Sequence, residues 1–198
     1  GDKIYQALAA KNMIDRYDGL FALRNENLET KRLTLHNAYA QEKFHATKGE
    51  ILYQLAGDTD AKSIAIFRSA LKDEDIDVQK QAAAHLKTIP KELRNEYEAL
   101  LDAQSWDLIR DALDKLCNEY PHLSENYLKR TQEFLGMNYR VHCKWLEISY
   151  LNGDEKAAAA LADLTGNAYE FITRQNAMRT LVSINYLDDV AIAGLVNA

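Results

Sequence analysis

Five histidines, two cysteines and several paired acids are the residues whose types could support metal or acid–base chemistry. Their spacing points away from it. Among His36, His45, His85, His122 and His142 no two are four apart, so no helix offers the paired imidazoles of a zinc peptidase. His85 and His142 fall on polar-leaning faces of helical patterns and read as surface or packing residues. No Gly-x-Gly-x-x-Gly, Gly-rich phosphate loop or Gly-x-Ser-x-Gly elbow occurs. The acid pairs Asp73 with Asp75 and Asp188 with Asp189 stand at helix junctions, where capping accounts for them. Lys72-Asp73-Glu74-Asp75 lacks the ligand order of a calcium loop and reads as a solvated turn. Cys117 and Cys143 take apolar positions, as buried thiols do, and two cysteines make no disulfide framework. A bond between them needs a geometry that spacing cannot supply.

The residues that do recur are cations. Arg16, Lys48, Lys80, Arg110, Arg140 and Arg174 step by 32, 32, 30, 30 and 34 residues. Three places after each stands a small or apolar residue: Gly19, Ile51, Ala83, Leu113, Cys143 and Ala177. Six or seven places after each stands a leucine: Leu23, Leu55, Leu86, Leu116, Leu146 and Leu181. Such a period is the mark of a repeat architecture. Two chemistries suit the cations. In one, each pairs with an acid on the neighbouring unit. In the other, they form a ladder on a concave face and grip a peptide carboxylate, for which the planar fork of arginine is well shaped. Arg140, Lys144 and Arg174 are the candidates for that peptide-facing role. Tyr139, Trp145 and Tyr169 would either line the same face or pack between repeats.

Each unit reads as two helices. Ile64, Phe67 and Leu71 form one stripe, Lys72 to Asp75 break it, and Val78, Ala82, Leu86 and Ile89 form the next. Pro90 stops that helix. The following unit predicts a helix over 92–101, a break at 102–105 with Ser105 as N-cap, and an inner stripe of Leu108, Ile109, Ala112, Leu113 and Leu116. Later breaks fall at Gly136-Met137-Asn138, Asn152-Gly153-Asp154 and Thr165-Gly166-Asn167. A helix pair cannot bury its apolar face alone, so neighbours must stack. The expectation is an all-α chain: a HEAT/armadillo-like right-handed superhelix of about six helix pairs, residues 1–198 forming one solenoid domain.

Bulk properties agree with that class. The 198 residues carry 24 Lys plus Arg against 30 Asp plus Glu, a net charge of −6. An acidic chain argues against nucleic acid as partner, since phosphate binding needs a basic surface. No apolar run is long enough for a membrane helix. Hydrophobic residues at 47% exclude a disordered chain, and two prolines and eight glycines are few for a β-sandwich or barrel. The start Gly1-Asp2-Lys3 lacks a Met and a signal peptide and suggests a domain cut from a longer protein.

One stretch is more specific. Arg140-Val141-His142-Cys143-Lys144-Trp145-Leu146-Glu147-Ile148 resembles the Arg-x-x-x-Arg/Lys-Trp-Leu stretch in the C-terminal helical domain of zinc aminopeptidases of the aminopeptidase N and leukotriene hydrolase family. Residues 151–163 are similar to the helix that follows there. Phe171-Ile172-Thr173-Arg174 resembles the Phe-Thr-Arg run of the leukotriene hydrolase branch. The stretch from Tyr169 through Asn176-Ala177 to Asn185-Tyr186-Leu187-Asp188 looks like the close of bacterial members. Ile14-Asp15-Arg16-Tyr17-Asp18-Gly19-Leu20 is similar to the Arg-Tyr-Asp-Ala-Leu that opens the helical domain.

The resemblance implies a non-catalytic domain that caps the active-site chamber of a metallopeptidase and shapes peptide access. Its partners would be the catalytic domain of the same polypeptide and the peptide substrate. It implies no cofactor in this chain, with zinc held upstream in the parent, periplasmic or cytoplasmic. Ala168-Tyr169-Glu170-Phe171 carries no cation where the leukotriene hydrolase branch has Gly-Arg-x-Lys, so only Arg174 matches the carboxylate-holding segment. The repeats alone fit a second class equally well: a stand-alone HEAT-like scaffold binding a partner protein along its concave face.

Overall fold

The computed structural model describes residues 2–184. Among these the chain is all-helical, with twelve α-helices and no strand. It divides into two compact units, Gly1–Ala99 and Leu100–Ala198.

The first unit holds α1 (Asp2–Leu8), α2 (Met13–Phe21), α3 (Leu28–Gln41), α4 (His45–Leu55), α5 (Ala61–Ala70), α6 (Ile76–His85) and α7 (Arg94–Ala99). Helix α4 packs between α2 and α6, while α3 and α5 pack on each other and onto α4 and α6. The result is two layers of alternating helices. The second unit repeats the scheme with α8 (Trp106–Glu119), α9 (Ser124–Thr131), α10 (Tyr139–Leu151), α11 (Lys156–Asp163) and α12 (Phe171–Ser183). Here α10 packs between α8 and α12, with α9 against α8 and α10, and α11 against α10 and α12.

The recurring pattern of the sequence marks one layer in each unit. Its six cations lie on α2, α4, α6, α8, α10 and α12. The small or apolar residue that follows is buried in all six, Gly19, Ile51, Ala83, Leu113, Cys143 and Ala177. So is the later leucine, from Leu23 through Leu181. The repeat is therefore a burial pattern: these positions face the neighbouring helices because removing their apolar surface from water is what holds the layers together.

Polar side chains set the helix starts. Asn12, Asn27, Asp60, Asp75, Ser105 and Asn138 each accept a hydrogen bond from an amide in the first turn they precede. Asn138 caps doubly, taking the amides of Arg140 at 3.0 Å and Val141 at 3.3 Å. Chain reversals after α4, before α10 and after α10 use Gly57, Gly136 and Gly153 at φ +82°, +84° and +105°, a region only glycine enters without strain. The helix expected over 92–101 is instead α7 between two 3₁₀ turns, Lys91–Leu93 and Leu100–Asp102. Leu100 and Leu101, in the second of these turns, are both buried in the core.

Candidate functional site

The three candidates from sequence do not converge. Arg140, in the first turn of α10, makes a short ion pair with Asp107 in the first turn of α8. Its guanidinium also lies 5.4 Å from the Tyr139 ring centre. Lys144, one turn on, is held by Glu147 at 2.7 Å and Asp114 at 3.5 Å. Burial acts against its charge, but these two carboxylates outweigh it and hold its pKa above the ordinary lysine value. Lys144 is thus committed to structure. Arg174 on α12 donates to the Asn167 side chain at 3.3 Å and lies 5.8 Å from the Phe171 ring centre. Its Nε is buried without a hydrogen-bond partner among the described residues. Trp145 is a packing residue: its indole N–H donates to the Leu128 carbonyl at 2.7 Å, and its ring lies on the core of the second unit.

What the structure does bring together is a polar cleft of about 410 Å³ in the second unit. Arg110 and Asp107 of α8, Arg140 of α10, and Gln175, Asn176 and Arg179 of α12 line it. Three guanidinium groups face one carboxylate there, an excess of two positive charges in a chain of net charge −6. Arg110 reaches the exposed Asp111 at 2.9 Å, and Arg179 makes no ion pair with any described residue. Arg174 lines an adjoining trough with Phe171, Met178 and Val182, and Gln175 and Arg179 border both it and the cleft.

Arg179 lies off the repeated cation position, yet the sequence carries a signal for it. It stands five places after Arg174, and the same offset gives Phe21, Tyr53, His85, Lys115 and Trp145. None of the six is buried. In the first unit this offset builds an exposed aromatic row. Arg24 sits between the rings of Phe21 and Tyr53, 4.4 and 4.6 Å from their centres, and Tyr53 meets His85 edge-on at 5.6 Å.

Three arginines of the first unit are engaged by buried acids. Arg16 with Glu42, Arg24 with Glu50 and Arg32 with Asp58 form three ion pairs, each spanning 26 residues. All three carboxylates are buried. Burial pushes Glu42 and Asp58 up, yet their hydrogen bonds win. Arg16, the Phe44 and Lys43 amides and Thr47 hold Glu42 below its ordinary value; Arg32, Ser63 and the Asp60 amide do so for Asp58.

The same cluster holds a serine, a histidine and an aspartate, and its geometry excludes nucleophilic catalysis. Ser63 Oγ donates to Asp58 at 2.6 Å and lies 2.8 Å from His36 Nε2. With its one proton given to the carboxylate, the serine must accept from His36, so the imidazole cannot act as its base. Ser63 is also fully buried, with 0% exposure. Asp75 caps α6, and Asp73 pairs with Lys48 at 2.8 Å, so both serve as junction residues. Asp188, Asp189 and the resemblance after Asn185 lie outside the described residues.

Among the described residues no group of three His, Cys, Asp or Glu could hold a metal ion, and no helix is long and apolar enough to cross a membrane. No protein-family model matches the chain, and no curated protein matches it.

Proposed function

We propose that this chain is a HEAT-like helical array that serves a zinc-dependent aminopeptidase as its non-catalytic C-terminal part, capping the active-site chamber and shaping peptide access. One observation supports the array: the repeated pattern of cation, small or apolar residue and leucine falls on every second helix, with all twelve of the latter two positions buried; the peptidase assignment rests on the resemblance of Arg140–Ile148. That is how an array of paired helices keeps one layer in register from repeat to repeat. The stretch Arg140–Ile148, whose resemblance to the peptidase domain is the most specific, folds as one helix. It puts Val141, Cys143, Leu146 and Ile148 inward and leaves Arg140 on a cleft. Such a domain acts on catalysis by excluding water and bulky substrates, with the metal and the reacting groups supplied by the parent.

The test is the reading frame that encodes this chain. A His-Glu-x-x-His with a second Glu downstream of it, both ahead of Asp2, supports the proposal. Chelator-sensitive hydrolysis of aminoacyl amides by the full-length product would complete it. A reading frame without that motif overturns it. The exposed row of Phe21, Arg24 and Tyr53, with half-buried His85 at its end, favours a second reading, a scaffold that holds a partner protein on this layer. A reading frame of little more than this chain, with a stoichiometric partner lost on Tyr53→Ala, would decide for the scaffold.

A further inference from the structure

The cleft between α8, α10 and α12 has the chemistry of a receptor for negative charge, whatever polypeptide surrounds it. Arg140 shows the mode of binding, since the Asp107 carboxylate already occupies one guanidinium. The remaining two cations are not so answered. Arg110 is paired with Asp111, whose side chain is 60% exposed, and an ion pair of that kind is worth little and exchanges readily. Arg179 has no anionic partner among the described residues. The side-chain amides of Gln175 and Asn176 add hydrogen-bond donors beside them. Asp107, Tyr139 and Arg140 come from the first turns of α8 and α10, so two helix N-termini bias the same space toward an anion. Exposed Ile172 borders the cleft and offers apolar contact to the body of a ligand. The volume, about 410 Å³, is in the range of small-molecule sites.

We propose that this cleft binds the oxyanion of a small organic acid, carboxylate or phosphate, with Arg179 as its anchor and Arg110 turning from Asp111 to close on it. The planar fork of each arginine suits either oxyanion with two parallel hydrogen bonds. The inference rests on the cleft alone and stands or falls apart from the peptidase reading.

The experiment is calorimetric titration of the 198-residue chain at low salt with inorganic phosphate and, separately, with citrate. Saturable binding with Kd of about 0.1–1 mM is expected for at least one of them. Arg179→Gln should weaken it about tenfold or more, and Arg179→Lys, which keeps the charge but not the fork, by less. Arg130→Gln, in an exposed pair with Asp102 outside the cleft, should leave it unchanged. Arginine Nε resonances of the unsubstituted protein give a reading independent of folding, with the Arg179 signal moving on titration. Phosphate alone binding identifies a phosphate ligand, citrate alone a carboxylate, and either supports the site. No saturable binding by about 10 mM overturns the proposal. So does an unmoved Arg179 resonance, or Arg130→Gln losing as much as Arg179→Gln.

Discussion

Asp58 shows how much a single buried carboxylate can organise. It accepts from Arg32 twice at 2.9 Å and from Ser63 at 2.6 Å, with its side chain 4% exposed. Removing its charge leaves the Arg32 guanidinium without its partner. Asp58→Asn is expected to cost about 2–4 kcal/mol, read from urea unfolding, and a loss under about 1 kcal/mol would contradict this account. The cysteines carry a chemical expectation. Both are free and buried, and burial pushes Cys117 up to about 11 and Cys143 up to about 12. A thiolate is the reactive form, so the folded protein should resist an aromatic disulfide reagent at about pH 8, and two thiols should titrate on unfolding. Fast labelling of either in the native state would refute it. Sequence spacing showed that these cysteines belong to the core. It did not show the partners of the cations: Arg16 and Lys48 reach acids 26 and 25 residues ahead, and Arg140 reaches one 33 behind. Side-chain reach after packing decides that choice, and no local pattern encodes it.

At the scale of helices, two glycines of one repeat layer make opposite expectations. A Cβ on Gly19 would stand 2.9 Å from the Ala7 Cβ and 3.2 Å from the Leu8 nitrogen, neither of which can swing aside. Gly19→Ala should therefore force α1 and α2 apart and destabilise by about 1–3 kcal/mol. A Cβ on Gly49 would meet only the Gln81 side chain, at 3.1 Å or more, and that chain can rotate. Gly49→Ala should gain up to about 1 kcal/mol of helix propensity. Thermal melts of the two variants check both signs, and a shift in the same direction would count against the packing described. The elements themselves were legible. Breaks at 72–75, 136–138 and 165–167 separate helices, and Ser105 caps α8. Periodicity and capping are local, so they survive in the sequence. The 3₁₀ turns around α7 were not legible, because adjacent Leu100 and Leu101 suit an α-helical stripe as well as Leu108 and Ile109 of α8 do. Nor was the cleft, since its cations come from three helices and its anchor lies off the repeated position.

Over the whole molecule, the buried acids and histidines make acid the weak direction. Glu42 and Asp58 have folded pKa values below their ordinary 4.5 and 3.8. Their stabilisation is complete above those unfolded values and is lost as pH falls through the lower folded ones. His36 lies below its ordinary 6.5 through burial, as do His85 and His142, so protons favour the unfolded chain below that value as well. The urea midpoint should be level between about pH 7 and 8, decline slowly to about pH 5 and fall steeply below about pH 4; above about pH 9 it should fall again, because the buried thiols ionise only in the unfolded chain. Glu42→Gln with Asp58→Asn should flatten the steep limb, and a midpoint that rises on acidification would reverse the argument. The ion pairs of the first unit also bear on how this chain can change over evolutionary time. Arg16–Glu42, Arg24–Glu50 and Arg32–Asp58 are offset from one another by eight residues, and all three span positions 33–41. One residue gained or lost there would turn α3 by about 100° and misalign the three partners together. Relatives of this chain should accordingly vary in length at the turns of Gly136 and Gly153, outside these pairs, and keep 33–41 at nine residues, a segment measured out by charges at both its ends.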